Sequence, residues 1–173
     1  MLAQQIKDIA EGFGQEDVAE QFVSRLQEGS LTRDENDETH FCVYFLPFNP
    51  EINEIFIVDH KKAKKWLFPG GHIDKGGGLL DTLNREITEE LGVASYFSTL
   101  ENPFFLSVTH IEKNPIRPCR IHYDIWYLMK TDGGNFDVDP TEFYATKWVS
   151  ISEARKLAVD PNTISALGMV EGL

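Results

Sequence analysis

The chain has 173 residues, enough for one domain with a substantial core and too few for two ordinary domains. Its 42% hydrophobic and 25% charged residues are typical of a globular protein and exclude a largely disordered chain. The formal net charge of -12 opposes general binding to a nucleic-acid backbone, which requires many Lys and Arg contacts to phosphates.

The sequence also argues against a membrane or secreted protein. No apolar run approaches the roughly 20 residues that span a bilayer. The N-terminus, MLAQQIKDIAEGFG, lacks the basic start and continuous apolar stretch of a signal peptide, so we expect a cytoplasmic location. The two cysteines, Cys42 and Cys119, are far apart without CxxC spacing and suggest neither a zinc site nor a disulfide.

The first part of the chain predicts helices followed by two strands. Apolar residues at helical spacing over 1–29 predict two helices broken near Gly12 and Gly14, with Gly29 as a stop signal. The polar run SLTRDENDET predicts a loop. HFCVYFLPFNP and EIFIVDH are rich in aromatic and β-branched residues and predict a hairpin around PEIN.

The second part predicts a loop, a helix and further strands. The Gly- and Pro-rich stretch LFPGGHIDKGGG predicts a loop with unusual backbone geometry. Residues 79–91 predict a helix with an apolar face formed by Leu80, Leu83, Ile87 and Leu91. Strands are predicted at PFFLSVTHI, RIHYDIWYLMK and FYATKWVSI, then a helix capped by Ser152 and a short helix after Pro161. This order of elements predicts a mixed sheet covered on both faces.

Three glutamates in the predicted 79–91 helix stand side by side. Glu86, Glu89 and Glu90 occupy positions i, i+3 and i+4, where like charges destabilise a helix by roughly a few tenths of a kcal/mol. A divalent cation such as Mg²⁺, which takes oxygen ligands and joins carboxylates to phosphates, would offset this repulsion. Alternatively, the nearby cations Arg85 and Lys75 neutralise the three glutamates.

The stretch GHIDKGGGLLDTLNREITEELGV resembles the Nudix box, G-x5-E-x7-R-E-U-x-E-E-x-G-U, in which U is a bulky aliphatic residue. Eight of the nine specified positions match, namely Gly71, Arg85, Glu86, Ile87, Glu89, Glu90, Gly92 and Val93. The lead-in WLFPGG and the segment KWV before a C-terminal helix are also similar to the family. The resemblance covers roughly residues 40–160.

This resemblance implies an α/β fold, the Nudix-type α/β/α sandwich with a mixed β-sheet, over residues 37–173. Residues 1–36 are then an N-terminal helical extension that covers the sheet, closes over the pocket or forms a dimer interface. It also implies Mg²⁺, for which Mn²⁺ substitutes, with Arg85 orienting the glutamates and Gly92 ending the helix at positive φ. The implied metal ligands are Glu86, Glu89, Glu90 and the carbonyl of Gly70.

One box position departs from the family pattern. The box has Glu where this chain has Gly77, at the start of the helix. Because negative charge is favoured near a helix N-terminus, its loss predicts weaker metal affinity or slower turnover rather than an abolished site.

Attack of water on phosphorus also needs a carboxylate to accept the proton of the water. The resemblance offers Glu86 inside the box, or Glu142 before Trp148, where some members carry an extra metal-binding glutamate. Glu142 is equally compatible with a solvated loop carboxylate. The implied catalytic residues are therefore Glu86, Glu89, Glu90, Arg85 and Glu142.

Several polar residues outside the helix are candidate substrate contacts. Lys62 and Lys65 belong to the basic run HKKAKKW, which either guides phosphate into the site or is a solvated turn. His72 either contacts phosphate or caps its loop. His122 and Asp124 alternate on one strand face, where they touch substrate or the outer metal shell, or pair within the strand. For nucleobase stacking the candidates include Phe45, Tyr127 and Phe143.

These implications describe a hydrolase that cleaves a phosphoanhydride bond in a nucleoside diphosphate derivative. A (d)NTP or oxidised dNTP and a nucleotide sugar or ADP-ribose are both open. A weak or inactive Nudix-fold nucleotide sensor is the alternative that Gly77 motivates. A prenyl diphosphate isomerase finds no supporting pattern around Cys42 or Cys119. We expect a small nucleotide as partner, no nucleic-acid polymer, no membrane, and a homodimer as a further option.

Overall fold

The computed structural model describes residues 1–112, 118–132, 134 and 136–172. Its elements in chain order are α1 (Leu2–Gly12), α2 (Glu16–Gln27), β1 (Thr39–Asn49), β2 (Glu54–His60), β3 (Lys65–Leu67), β4 (Gly70–His72), α3 (Leu79–Leu91), β5 (Phe105–His110), β6 (Ile121–Lys130), β7 (Phe143–Ser150), α4 (Ile151–Leu157) and α5 (Pro161–Glu171). Among the described residues, no helix combines the length and apolar character needed to cross a membrane.

The strands form one mixed sheet, as the sequence predicts. Within the described residues it has seven strands in the order β3-β2-β1-β6-β5, with β4 added to β1 and β7 added to β2. Strands β1 and β6 run parallel, from Thr39 opposite Ile121 to Phe48 opposite Lys130. The other pairs are antiparallel. The parallel pair lies inside the sheet, where both of its faces are covered.

Alternation of side chains along the strands separates two apolar cores. On one face, Phe41 and Val43 of β1 pack in a cluster with apolar residues of α1, α2 and α3. On the other face, Leu46 of β1 packs in a cluster with residues of α4 and α5. Helices therefore cover both faces, which confirms the predicted α/β/α sandwich. The N-terminal helices cover the sheet, since Ile6 and Phe22 belong to the first cluster.

A buried arginine fixes the helical extension to the sheet. Arg25 in α2 is only 1% exposed. Its guanidinium donates to the carbonyl oxygens of Gly29 at 2.7 Å, Ser30 at 2.7 Å and Thr39 at 2.6 Å. Because Thr39 begins β1, these bonds join the end of α2 to the strand that runs through the centre of the sheet.

Two local predictions are wrong. Ser150, rather than Ser152, caps α4, since its hydroxyl accepts from the Glu153 N–H while the Glu153 carboxylate accepts from the Ser150 N–H. Part of the predicted Gly-rich loop is the short strand β4, which pairs with Cys42–Tyr44 of β1. Strand β3, Lys65–Leu67, begins at the end of the basic run and lies beside β2.

Candidate active site

Helix α3 carries the predicted carboxylates, and its apolar side attaches it to the sheet. Leu80 of the predicted face is only partly buried at the edge of the core. The helix ends at Gly92, whose φ of 71° is left-handed and whose N–H donates to the Thr88 carbonyl at 3.0 Å. The end predicted at Gly92 is confirmed. The fully buried residues of this helix side are Leu79, Leu83, Ile87 and Leu91.

Two of the three glutamates turn towards β4. Glu86 and Glu90 are 8% and 5% exposed, whereas Glu89 lies at the solvent edge. Gly71 lies directly against Glu86, because a Cβ added at Gly71 would fall 2.1 Å from Oε1 of Glu86. The backbone of Gly70 lies close to the Glu90 carboxylate and lowers its pKa, against the larger effect of burial. The structure thus brings Gly70, Glu86 and Glu90 together, with Glu89 beside them.

The electrostatics of this pair favour a cation. Burial raises the pKa of Glu86 to about 7, against the opposing charge of Arg85. Burial, followed by the charge of Glu86, also raises the pKa of Glu90. Among the described residues, Oε2 of Glu90 has no hydrogen-bond partner although it is buried. Adjacent buried carboxylates with an unpaired oxygen would be stabilised by a divalent cation.

Arg85 connects α3 to the segment around β4. Its guanidinium donates to Oε2 of Glu89 at 3.0 Å and to the His72 carbonyl oxygen at 2.9 Å. It also forms ion pairs with Glu86 at 2.8 Å and with Asp74 at 3.3 Å. These contacts place Arg85 where it orients two of the glutamates. The sequence did not single out Asp74.

The basic run and the loop before β7 meet beside α3. Nζ of Lys62 lies 2.6 Å from Oε1 of Glu142. Both groups act on Glu90, since Glu142 raises and Lys62 lowers its pKa after the larger effect of burial. Lys65 is exposed on β3 opposite His60 and, within the described residues, forms no ion pair with these carboxylates. The structure therefore brings Glu142 and Lys62, but not Lys65, to the glutamates of α3.

The remaining predicted polar residues lie in the other half of the sandwich. His72 and His122 lie together with His40 and Cys42, and Asp124 lies opposite Cys42 in the strand register. The sequence did not place His40 or Cys42 in the site. His122 is 8% exposed and Asp124 is 1% exposed. Direct contact of these two side chains with substrate stays a prediction, and their burial limits it.

The aromatic residues considered for nucleobase stacking are buried. Phe45 and Tyr127 are fully buried and Phe143 is 5% exposed. All three belong to the core between the sheet and helices α1 to α3. The stacking prediction for these side chains is wrong, because strand alternation turns them into the core.

Comparisons with known proteins agree with the fold. A family model described as the NUDIX domain matches residues 38–167. The RNA pyrophosphohydrolase of Novosphingobium aromaticivorans is 29% identical over an alignment of 132 residues, and the match covers 68% of this chain and 81% of that protein. The structure of a MutT protein from Methanosarcina mazei matches with a TM-score of 0.60 at 16% identity, over 79% of this chain and 96% of that chain.

A second solved structure gives the same result. The ORF135 protein of E. coli matches with a TM-score of 0.60 at 20% identity, over 79% of this chain and 91% of that chain. At such identities the solved structures establish the likeness of the fold alone.

Proposed function

Because the chain belongs to the Nudix family, we propose that it is a divalent-metal-dependent hydrolase that cleaves a phosphoanhydride bond in a nucleoside diphosphate derivative. The observation that carries the proposal is the packing of two buried glutamates, Glu86 and Glu90, against the backbone of Gly70 and Gly71. The pyrophosphohydrolase name of the Novosphingobium relative refers to the same class of bond.

The residues present fit Mg²⁺, with Mn²⁺ as a substitute. Carboxylates of Glu86, Glu89 and Glu90 and the carbonyl of Gly70 are oxygen ligands of the kind that Mg²⁺ prefers. The unpaired Oε2 of Glu90, counted among the described residues, supports a cation at this position. Such an ion supplies activation of water and neutralises charge on the phosphate oxygens.

The protein's own groups orient this site and accept the proton of the water. Arg85 holds Glu86 and Glu89 through the contacts already described. Two carboxylates are proposed as alternative bases. Glu86 has a pKa raised by burial to about 7, close to the pH at which a general base is effective. Glu142, paired with Lys62, is the second.

Substrate binding is proposed for the basic side of the site. Lys62 lies near Glu90 and His72 and would attract the phosphates of a (d)NTP, an oxidised dNTP, a nucleotide sugar or ADP-ribose. Lys65, His72, His122 and Asp124 are retained as weaker candidate contacts. The net charge of -12 favours a small nucleotide over a nucleic-acid polymer. A cytoplasmic location, where nucleotides are abundant, and a homodimer complete the proposal.

A weak or inactive nucleotide sensor is the second candidate. It is favoured by Gly77, which leaves the start of α3 without the box glutamate. The Gly77 N–H closes a turn on the Asp74 carbonyl at 2.9 Å. A Cβ at position 77 would lie 3.1 Å from that same oxygen, so this tight turn favours glycine.

The decisive experiment measures release of phosphate, pyrophosphate and mononucleotide from a panel of substrates with Mg²⁺, with Mn²⁺ and with EDTA. The panel contains dNTPs, oxidised dNTPs, nucleotide sugars, ADP-ribose, dinucleoside polyphosphates and a short 5′-triphosphorylated RNA. Metal-dependent cleavage of one class supports the hydrolase and identifies its substrate. Nucleotide binding without turnover favours the sensor, and the absence of both overturns the proposal.

Replacement of Glu90 by Gln tests the residue that carries the proposal. We expect turnover to fall by at least about 100-fold, because an amide is a poor metal ligand. The unfolding temperature in EDTA should not fall, since the variant removes one of two adjacent buried carboxyl groups. Glu101→Gln, at an exposed site, is the control and should keep the wild-type rate. Wild-type turnover in Glu90→Gln would remove this residue from the metal site.

A further inference from the structure

Four side chains from three strands converge on the α4–α5 side of the sheet, at the start of β1. His40 and Cys42 come from β1, His72 from β4 and His122 from β6. In the strand register His40 lies opposite His122, and Cys42 lies opposite His72. One potential ligand atom from each residue lies within 4.8 Å of every other. We call these four residues the histidine–cysteine cluster.

Three of the four residues in the cluster are buried, His72 is half-buried, and some of the polar atoms have no partner among the described residues. His40, Cys42 and His122 are 0%, 1% and 8% exposed. Among the described residues, Nε2 of His40 and Nε2 of His122 lack a hydrogen bond although both atoms are buried. Buried polar groups are normally paired, so two such nitrogens in one group indicate a ligand.

The orientation of His40 supports the same conclusion. Its Nδ1 lies 2.9 Å from the carbonyl oxygen of Asn36. A carbonyl only accepts hydrogen bonds, so Nδ1 carries the proton and Nε2 is left with a free lone pair. Metal-binding histidines commonly donate their second ring N–H to a backbone carbonyl in this way.

The three rings stand around a common centre. Their centroids are 4.8 Å apart for His40 and His72, 4.8 Å for His40 and His122, and 5.1 Å for His72 and His122. Burial lowers the pKa of all three imidazoles, so each is neutral near pH 7, as a metal ligand must be.

From this geometry we infer that the histidine–cysteine cluster binds a zinc-type transition metal ion through three imidazole nitrogens and one thiolate. In tetrahedral zinc sites, ligand bonds of about 2.0–2.3 Å place the ligand atoms about 3.3–3.8 Å apart. The 4.8 Å limit in the metal-free side chains requires an adjustment of about 1 Å. Nitrogen and sulfur ligands separate this site from the oxygen ligands proposed for Mg²⁺.

Binding at this site releases the thiol proton of Cys42 to solvent. The resulting thiolate and one divalent ion leave a single positive charge. Asp124, which is opposite Cys42 in the register and accepts hydrogen bonds from Ser107 and Thr109, can balance that charge. Its Oδ1 atom is buried and has no partner among the described residues.

Four protein ligands leave no open position, so the site is structural rather than catalytic. It joins β1, β4 and β6, and β4 provides the Gly70 and Gly71 backbone against the carboxylates of α3. On this assignment His72 and His122 hold a metal ion instead of touching substrate. On the same assignment, cysteine spacing would not reveal the site, because its ligands are spread over three strands.

Cobalt titration of the chelator-stripped full chain tests the inference. Tetrahedral Co²⁺ gives intense visible absorption, and a thiolate ligand adds a near-ultraviolet charge-transfer band. We expect both bands to saturate at one ion per chain and to disappear when Zn²⁺ is added. The two cysteines provide a matched pair, since Cys119 is the only other cysteine in the chain.

Cys42→Ser should abolish the charge-transfer band and weaken Zn²⁺ binding by more than about 100-fold. Loss of a residue that only hydrogen bonds to a metal ligand already lowers metal affinity by roughly 10–100-fold. Cys119→Ser should bind as the wild type does. Glu90→Gln should keep the band, because that residue belongs to the carboxylate site. Absence of the band in the wild type, or its survival in Cys42→Ser, overturns the inference.

A second measurement covers the case in which Cys42→Ser does not fold. X-ray absorption of the zinc-loaded wild-type protein counts the ligands directly. We expect one sulfur and three nitrogen neighbours. A shell without sulfur would show that the ion binds elsewhere and would overturn the inference.

Discussion

Gly71 sets the position of a candidate catalytic group through its missing side chain. A Cβ at this residue would lie 2.1–2.6 Å from three atoms of the Glu86 carboxyl group. Any other residue would therefore displace Glu86 or separate β4 from α3. Packing against Glu86 thus explains why the first position of the box is glycine in this protein.

Gly71→Ala tests this contact. We expect turnover to fall by at least about 10-fold, because a shift of about 1 Å in a catalytic group can cost about 100-fold. Steady-state kinetics on the substrate found in the panel provide the measurement. Gly12→Ala is the matched control, since a Cβ at this position would meet no other described part of the chain within 4 Å, apart from its chain neighbours and its own helix backbone. Unchanged turnover in Gly71→Ala would contradict the proposed role of the contact.

The carboxylates could be predicted from sequence because they belong to one helix, in which spacing determines position. The pairing of Asp74 with Arg85 could not, since it depends on how the loop after β4 approaches α3. His40 and Cys42 were missed for a similar reason. Their proximity to His122 follows from the register of β1 and β6, which no local pattern specifies.

At the scale of elements, strands without side-chain patterns escape prediction. β4 consists of Gly70, Gly71 and His72, and its pairing with β1 uses backbone groups alone. In contrast, the sequence contains enough information to predict the correct cap of α4. Ser150 stands three residues before Glu153, the spacing of a capping box, whereas Ser152 does not.

The docking of α2 depends on Arg25, and its removal is the prediction at this scale. Arg25→Met should lower the free energy of unfolding by about 2–4 kcal/mol, because three carbonyl oxygens lose a charged donor. Urea denaturation measures the change. Arg155→Met is the control, since Arg155 forms a solvent-accessible ion pair with Glu171 and should cost less than about 1 kcal/mol. Equal losses in the two variants would show that the buried bonds add nothing.

For the whole molecule, buried titratable groups act on stability in opposite directions. Burial raises the pKa of Glu86 and of Asp124 to about 7, which lowers the stability of the metal-free protein as pH rises towards 7. Burial lowers the pKa of His72 to about 3 and of His122 to about 2. Below about pH 6.5 these two histidines therefore bind protons in the unfolded chain but not in the folded chain. Their contribution to the stability of the fold is complete above that pH and is lost on acidification.

Because these effects offset each other in the wild type, a variant isolates the histidine contribution. In EDTA, His122→Gln should gain stability relative to the wild type by about 1.4 kcal/mol per pH unit as pH falls from about 6 to about 4.5. Urea denaturation across this range measures the difference. His110→Gln, at the exposed end of β5, is the control. A stability difference for His122→Gln that does not change with pH would show that this imidazole is not held neutral.

The parallel pairing of β1 with β6 has a consequence for how the chain reaches this structure. Residues in contact along this pair are roughly 80 positions apart in the sequence, so a long loop must close before their contacts form. Pairing over such separations slows folding, and β4 and helix α3 lie within the intervening segment. The histidine–cysteine cluster has ligands on both sides of that loop. A metal ion that bridges them would stabilise the closed loop between β1 and β6 and would slow unfolding.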